Sequence, residues 1–547
     1  TIEKFVTVCM PILAYGTAMG WISPHKALLM GDSSPSDAPL TEEDVSWMAS
    51  IMFIFAPIAV FIYGVAADKF GRKNALLCAS VPILVYCTNI EGMMNTFKIS
   101  YDPLGWAVKL ISSHPIALIG ARALIGFGSG GGFVVCPLYV KEISEDSIRG
   151  MTGTFVIFSQ TAGNLIVFVL GDLLPYHTVL WILLAIPLVH FCFLLRLPET
   201  PSYLVKCGKN EVRIIFNSRL IETPQKKLEH KKNLTFIENS LENGLLRETT
   251  KVLSWLRGLP ENDILIREEV DRLIIEQTTS ELKFSPRLLL FSVCLHLNFC
   301  SCKCVVNSTP SGLGRIADKT AVKAFWVALI VNLTREFCGC IAVLVYASHI
   351  FAEAGNDPNT SIALSPNKQS TLLAAVQIFG SFLACQLVDR AGRKPLLAVT
   401  SVVAGFSMCL LGVWFYLQSI GVFMPGWVPI VALCVCIFAD ASGLQPLPFV
   451  IMTEMFNFQL RGTVATLIMA ISLGTDFALL KLFAPLNVWI GYHSTFWIFS
   501  FICLSNVFYL IFCVPETKMR SLEDIYSDLE GKKRQKKSEN VVETNHV

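Results

Sequence analysis

Charged residues are scarce in this chain. Only 16% of its 547 residues are Asp, Glu, Lys or Arg, whereas charged residues make up about 25% of a typical soluble protein. Hydrophobic residues make up 53% of the chain, and its mean hydropathy is +0.55. The scarcity of charge excludes an ordinary soluble protein and indicates that most of the chain lies in lipid.

A strong net charge is also missing. The formal net charge is +2, and the basic residues are not pooled into one region except at residues 532–537 near the end. A nucleic-acid partner is therefore not expected. We interpret residues 532–537 as a solvated tail, with contact to anionic lipid as the alternative.

Recognisable groups of catalytic residues are missing as well. No nucleophile beside a base, no metal-ligand set and no phosphate loop occurs in a plausible context, so we expect neither an enzyme nor a cofactor. The segment Gly126-x-Gly128-x-x-Gly131 matches a dinucleotide fingerprint, but it lies within an apolar run, which favours close helix packing. A cluster of one histidine and three cysteines resembles a metal site but lacks the spacing of the common zinc motifs. It consists of His296, Cys300, Cys302 and Cys304.

The 18 cysteines do not indicate a disulfide framework. Most of them lie inside apolar runs, where cysteine serves as a small packing residue. Those inside apolar runs are Cys78, Cys136, Cys192, Cys385, Cys409, Cys434, Cys436, Cys503 and Cys513.

Long apolar runs are what the chain has instead. Windows long enough to cross about 30 Å of hydrocarbon predict twelve spans, each of them helical because lipid cannot hydrogen-bond the backbone. The predicted spans are residues 5–23, 47–67, 75–90, 115–135, 152–171, 178–196, 324–351, 369–388, 396–417, 427–450, 463–484 and 494–514. No cleavable signal sequence is evident, and we expect an initiator methionine or a short leader before Thr1.

Three short charged motifs occur twice in the same order. The first copy contains Asp68-Lys-Phe-Gly71-Arg72-Lys73, Glu142 seven residues before Arg149-Gly150, and Pro198-Glu199-Thr200. The second copy contains Asp389-Arg390-Ala-Gly392-Arg393-Lys394, Glu454 seven residues before Arg461-Gly462, and Pro515-Glu516-Thr517. All three offsets lie between 312 and 321 residues. Chance would not keep three motifs in step, so the chain is predicted to be two copies of one unit.

With their neighbours, these motifs resemble the sugar porter family of the major facilitator superfamily over nearly the whole chain. Within that family they are most similar to insect facilitated trehalose transporter-like proteins. Further matching residues are Ser46-Trp47, Gly64, Pro137-Leu-Tyr139, Tyr346-Ala-Ser-His-Ile-Phe and Pro446-Leu-Pro448. The resemblance implies an all-α polytopic membrane protein with the 12-helix major facilitator fold, in which two six-helix halves are related by pseudo-twofold symmetry.

The resemblance also divides the chain into regions. Residues 1–200 are the predicted N-terminal six-helix half, 201–322 a cytosolic loop, 323–515 the C-terminal six-helix half and 516–547 a cytosolic tail. Three stretches fit neither the fold nor the family and are interpreted as insertions, either genuine loops or products of imperfect gene prediction. They are residues 87–103, 212–250 and 283–312.

Orientation follows from the positions of the basic residues. The positive-inside rule places the helix ends that carry the basic motifs, the middle loop and both termini in the cytosol. We expect an integral membrane protein of the plasma membrane. On the opposite side, Asn359-Thr360-Ser361 is a usable glycosylation sequon.

The resemblance implies a transporter that moves a sugar, either a hexose or trehalose, by facilitated diffusion with alternating access. The paired motifs are predicted to form a cytosolic latch, whose carboxylates and arginines pair across the two halves when the inner mouth is shut. The alternative is that the bases only orient the helices. The predicted latch consists of Asp68, Gly71, Arg72, Lys73, Glu142, Arg149, Glu199, Asp389, Gly392, Arg393, Lys394, Glu454, Arg461 and Glu516.

The predicted substrate cavity departs from the family pattern. Neutral amides suit sugar hydroxyls, yet the family's pair of glutamines aligns with Arg335 and Glu336. Charge at membrane depth is usually functional, and we expect Arg335 to pair with Asp476. The predicted cavity residues are Gln160, Asn164, Arg335, Glu336, Gly339, Phe449, Ser472 and Asp476.

These charges leave alternatives open. They could serve only to neutralise one another, or they could bind a polar or charged solute, with or without proton coupling. Lost amides also fit a sensor or degenerate carrier that no longer transports. Arg122 matches an arginine common in the family and is interpreted as part of the cavity wall or the latch. Expected partners are the small solute and the bilayer, and the oligomeric state is left open.

Overall fold

The computed structural model describes residues 2–31, 39–80, 115–144, 149–205, 207, 247–280, 312–354, 365–422, 424–456, 458–518, 520 and 522–530. Every regular element among these residues is a helix. The all-α class predicted from the apolar runs is therefore confirmed.

The helices divide into those before and those after residue 247. The first group is α1 (Ile2–Gly20), α2 (Ile22–Met30), α3 (Glu42–Ser50), α4 (Met52–Phe70), α5 (Arg72–Ser80), α6 (Pro115–Ile143), α7 (Arg149–Leu173) and α8 (Tyr176–Leu194). The second group begins with a helix at residues 247–257. It continues with α9 (Ile264–Ser280), α10 (Gly312–Phe337), α11 (Cys340–Val345), α12 (Ala347–Ala354), α13 (Pro366–Ala391), α14 (Arg393–Ser419), α15 (Trp427–Ala439), α16 (Leu447–Glu454), α17 (Phe458–Cys513) and α18 (Leu522–Glu530).

Ten segments of the described chain are long and apolar enough to cross a membrane. The last of them contains 50 residues and would measure about 75 Å as one helix, far more than the ~30 Å of hydrocarbon. Gly491, at φ 79°, breaks it into two crossings. Eleven of the twelve predicted spans are thus described. The third, predicted at residues 75–90, lies mostly outside the described residues.

Two spans predicted to be continuous are interrupted. The span predicted at 324–351 breaks at Gly339, which has φ 81° and whose position leaves no room for a Cβ beside the Phe499 ring. The span predicted at 427–450 contains a π-helix, Asp440–Leu444, followed by two prolines within four residues. Proline lacks the N–H that would continue regular hydrogen bonding, and π-helical turns often mark functional sites.

Glycines bring helices of the N-terminal half into close contact. A Cβ at Gly130 of α6 would lie 2.6 Å from the backbone oxygen of Ala56 on α4, and one at Gly126 would overlap Met52. The helix-packing interpretation of this glycine-rich segment is therefore confirmed. In the same way, Gly16 of α1 lies directly against the Gln160 backbone of α7.

The two halves also approach each other closely. A Cβ at Gly64 of α4 would lie 3.0 Å from Thr466 Oγ1 of α17. Near the other end, Ser348 Oγ donates to the backbone oxygen of Ser23 at 2.5 Å. Between these two regions of contact, interior residues of α7, α10, α13 and α15 form the site where the halves meet.

Candidate substrate cavity and the two ion-pair clusters

Four buried amide side chains lie where the two halves meet. Gln160 and Asn164 belong to α7, whereas Gln377 belongs to α13 and Gln445 to the turn after the π-helix. Gln445 Nε2 donates to Gln160 Oε1 at 3.3 Å. Asn164 Nδ2 donates to Gln377 Oε1, also at 3.3 Å. Each hydrogen bond therefore joins one half to the other.

Three atoms of this amide group have no hydrogen-bond partner among the described residues. They are Asn164 Oδ1, Gln377 Nε2 and Gln445 Oε1, and all four amide side chains are 2% exposed or less. A buried polar atom without a partner costs about 1–3 kcal/mol. Free amide acceptors and donors can bind hydroxyl groups without the cost of desolvating a charge.

Sequence reasoning found two of these amides and missed the other two. Gln160 and Asn164 were predicted as cavity residues, whereas Gln377 and Gln445 were not. The family resemblance pointed to α10 instead, where Arg335 and Glu336 take the place of the family's two glutamines. A usable signal was present, because Gln377 interrupts the apolar run 369–388 and Gln445 directly precedes a Pro-x-Pro motif.

A charged group lies in the C-terminal half. Arg335 Nη1 donates to Glu336 Oε1 at 2.7 Å, and the guanidinium lies 5.8 Å from the centre of the Phe449 ring. Arg335 was expected to pair with Asp476, but its ion pair is with Glu336. Both residues belong to the last turn of α10, which ends at Phe337.

Two further carboxylates belong to this charged group. Asp440 and Asp476 are each 3% exposed, and both lie close enough to Arg335 to interact with it electrostatically. One oxygen each of Glu336, Asp440 and Asp476 lacks a hydrogen-bond partner within the described part of the chain, as does Ser472 Oγ. Three carboxylates thus surround one guanidinium, and the group can hold a proton or a cation as well as a neutral solute.

Arg72, Lys73, Glu142 and Glu199 form what we call the N-terminal cluster. Arg72 Nε donates to Glu142 Oε1 at 3.0 Å, and both side chains are 6% exposed. Glu199 accepts the backbone N–H groups of Arg72 and Lys73 at 2.9 and 3.1 Å, at a helix N-terminus that favours negative charge. Burial raises the pKa of the Glu199 carboxyl, and these N–H groups oppose the rise.

Arg393, Lys394, Glu454 and Glu516 form the corresponding C-terminal cluster. Arg393 Nη2 donates to Glu454 Oε1 at 2.9 Å. Glu516 accepts the backbone N–H groups of Arg393 and Lys394, each at 3.1 Å. The same contacts occur between the same motif positions in both clusters, which supports the interpretation of the chain as two copies of one unit.

A glycine precedes the arginine in each cluster and turns the chain between two helices. Gly71 has φ 100° and ψ 159°, and Gly392 has φ 91° and ψ 159°. This is a backbone conformation that residues with a Cβ rarely adopt. A Cβ at Gly71 would also overlap the Glu199 carboxylate, and one at Gly392 would lie 3.2 Å from Glu516 Oε2.

The ion pairs differ from the predicted latch in one respect. Arg72 and Glu142 both belong to the N-terminal half, and Arg393 and Glu454 both belong to the C-terminal half. These side chains were expected to pair across the halves when the inner mouth is shut. The described ion pairs join neighbouring helices of one copy, α5 with α6 and α14 with α16, and the pairing across the halves stays a prediction.

Several predicted residues cannot be placed in these clusters. The side chains of Asp68, Arg149, Asp389 and Arg461, and all of Asn359, lie outside the described residues. Their predicted roles therefore stay predictions.

Arg122 is enclosed within the N-terminal half. It is fully buried, its Nε donates to the backbone oxygen of Met48 at 2.9 Å, and its Nη1 donates to that of Ala18. It thus ties α6 to α1 and α3, away from the ion-pair clusters.

Comparison with known proteins identifies the family. The sequence profile described as "Sugar (and other) transporter" matches residues 12–257 and 233–529. The facilitated trehalose transporter Tret1 of Polypedilum vanderplanki is 25% identical, with 97% of this chain and 88% of that protein covered. Tret1 of Apis mellifera ligustica is 24% identical, with coverage of 95% and 86%.

Solved structures match the fold over nearly the full length. The proton:xylose symporter XylE bound to 6-bromo-6-deoxy-D-glucose superposes with a TM-score of 0.66 at 17% identity, covering 96% of this chain and 98% of that chain. The inward-open xylose transporter XylE from E. coli gives 0.62 at 17%, with coverage of 97% and 99%. The predicted 12-helix major facilitator fold is thereby confirmed, and the chain belongs to the sugar (and other) transporter family.

Proposed function

We propose that this chain carries a sugar, either a hexose or trehalose, across a membrane by facilitated diffusion with alternating access. The observation that carries the proposal is the group of four buried amides shared by the two halves. The names of the trehalose transporters and of the xylose symporter that resemble it support the same substrate class.

The amide group suggests how a sugar is held. In the described structure the amides of the two halves bond to each other, Gln445 to Gln160 and Asn164 to Gln377. Sugar hydroxyls both donate and accept, so a bound sugar can replace these two hydrogen bonds and satisfy the free amide atoms as well. The solute then bridges the halves, and its binding energy can shift the balance between conformations.

Amide substitutions test this site in liposomes that contain the purified chain. One hydrogen bond contributes about 0.5–1.5 kcal/mol, so Gln377→Ala or Gln445→Ala should raise the KM for sugar uptake about two- to twelvefold. The matched control is Gln418→Ala, because Gln418 lines a surface pocket on α14. An unchanged KM in both cavity variants, or an equal rise in the control, would refute the assignment of the amides.

A second candidate is a carrier for a charged solute or a proton-coupled carrier, and the charged group favours it. Three buried carboxylates beside Arg335 form a more polar surface than a sugar requires. The double variant Arg335→Gln with Glu336→Gln restores the amides of the family pattern. If the native solute is charged, this variant should lose its uptake and gain sugar uptake. If the native solute is a neutral sugar, both uptake and its response to a pH gradient should change little.

We also propose that the ion-pair clusters face the cytosol, together with both termini, in the plasma membrane. The support is the accumulation of basic residues at this end of the bundle. Protease accessibility of the C-terminal tail in sealed, right-side-out cells tests the orientation. Cleavage from outside would contradict it.

If no solute is transported at all, the non-transporting sensor becomes the better interpretation.

A further inference from the structure

Four buried thiols gather in the C-terminal half, outside the amide group. Cys338, Cys340, Cys436 and Cys503 are each 3% exposed or less. The sulfur atoms of Cys340 and Cys436 lie 3.8 Å apart, and the Cys338 thiol contacts those of Cys340 and Cys503. Three separate segments, α15, the last span and the break between α10 and α11, contribute to this group.

A carboxylate completes the group. The sulfur atoms of Cys338 and Cys340 and a carboxylate oxygen of Asp440 all lie within 4.8 Å of one another. Asp440 is 3% exposed, and its Oδ1 has no hydrogen-bond partner in the described structure. Packing explains buried thiols, because cysteine is a small apolar residue. It does not explain why a carboxylate with one oxygen left without a hydrogen-bond partner lies against them, because burying such a group is costly.

The backbone holds these side chains at two irregular points. Cys338 and Cys340 flank Gly339, where the helix is broken. Asp440 begins the π-helix, and Cys436 lies one helical turn before it on the same face. Broken helices and π-helical turns often hold binding sites in membrane transporters and other proteins.

We propose that Cys338, Cys340, Cys436 and Asp440 bind a thiophilic divalent metal ion of the Zn²⁺ class. Zinc is held tetrahedrally with Zn–S distances of about 2.3 Å, which places neighbouring sulfurs about 3.8 Å apart. The Cys340–Cys436 separation has this value. The ligand atoms of Cys338 and Asp440 lie within 4.8 Å of the Cys340 sulfur, so the side chains must draw together around the ion to complete the tetrahedron.

The ligand set determines the chemistry of binding. The metal binds the thiolate form, so each of the three thiols gives up its proton to solvent water as its bond to the metal forms. The Asp440 oxygen makes the fourth bond. Carboxylate and thiolate together favour a borderline divalent ion over Cu(I), for which soft ligands alone are preferred. Bound metal would tie α11 to α15 across the two irregular points.

Metal binding by the purified full-length chain tests the proposal without any transport measurement, so its outcome is separate from that of the sugar assignment. After loading with Zn²⁺ and removal of loosely bound metal with a weak chelator, the wild type should retain about one Zn²⁺ per chain. Titration with Co²⁺ should give thiolate-to-metal charge-transfer absorption. Cys340→Ala and Asp440→Asn should weaken zinc binding at least about 10- to 100-fold, the loss that even an outer-sphere partner causes.

The matched control is Cys434→Ala, because Cys434 lies on the same helix two residues from Cys436 and outside the group. It should keep the metal. X-ray absorption of the zinc-loaded wild type should show sulfur ligands, which guards against variants that fail to fold. Zinc surrounded only by nitrogen and oxygen, unchanged binding in both ligand variants, or a Cys340–Cys436 disulfide in the purified chain would overturn the proposal.

Discussion

The two ion-pair clusters share their main contacts but differ in one hydrogen bond. In the C-terminal cluster, Thr517 Oγ1 donates to Glu454 Oε2 at 2.6 Å. In the N-terminal cluster the equivalent atoms are Thr200 Oγ1 and Glu142 Oε2, and both are buried without a partner in the described part of the chain. Duplication has therefore kept the ion pair and the capping glutamate in both copies, but the threonine–glutamate contact in only one.

This difference has an energetic meaning. Each buried polar atom without a partner costs about 1–3 kcal/mol. The N-terminal cluster therefore contributes an unfavourable free energy to the folded state that the C-terminal cluster does not. A cluster with unmet hydrogen bonds gains most from a rearrangement or from access to water. We therefore expect the N-terminal cluster to rearrange first when the basic end of the bundle opens.

Removing the arginine should have the largest effect on this comparison. Arg72→Met leaves Glu142 buried without a counter-ion and should cost about 3–5 kcal/mol of stability. Arg393→Met should cost less, because Glu454 is 27% exposed and keeps its bond from Thr517. Thermal unfolding of the purified variants in detergent measures both. A larger loss for Arg393→Met would reverse the proposed order of the clusters.

Substitution of the turn glycines should have an intermediate effect. Alanine at either position must adopt a positive φ, at a cost of about 1–3 kcal/mol. Gly71→Ala should lie at the upper end, because its Cβ would overlap Glu199, whereas a Cβ at Gly392 has 3.2 Å of room from Glu516. Melting temperatures of the two variants measure the difference. Equal melting temperatures would show that the Glu199 carboxylate simply moves aside.

Substitution of the threonines should have the smallest effect but the clearest contrast. Thr517→Val removes the hydrogen bond to Glu454, whose side chain is 27% exposed and can bond to water instead, so it should cost about 0.5–1.5 kcal/mol. Thr200→Val removes a hydroxyl that has no hydrogen-bond partner among the described residues, and it should be neutral or stabilising. Both exchanges conserve shape, and the same melting measurement applies. Destabilisation by Thr200→Val equal to that by Thr517→Val would mean that the two clusters are equivalent.

The sequence predicted the helical class, the duplication and most spans because these depend on local properties. Apolar length decides whether a segment can cross the bilayer, and the paired motifs can be recognised without knowing their contacts. Each prediction used residues that lie close together in the chain.

Contacts between distant residues were not predictable in the same way. The ion pair of Arg72 with Glu142 within its own half was not predicted, because motif identity alone does not show which helices are neighbours. Arg335 bonds to its chain neighbour Glu336 and not to Asp476, and the amide of Gln445 reaches Gln160 from the irregular turn after the π-helix. Apolar periodicity does not reveal such breaks.

The most direct test of the central claim, a carrier that binds sugar between two repeated halves, is counterflow of labelled trehalose and glucose into liposomes that contain the purified chain. With unlabelled sugar inside, we predict saturable accumulation of label by the wild type and strongly reduced accumulation by a Gln377→Ala, Gln445→Ala double variant. Accumulation no greater than that of protein-free liposomes for both sugars, or equal accumulation by the double variant, would contradict the account.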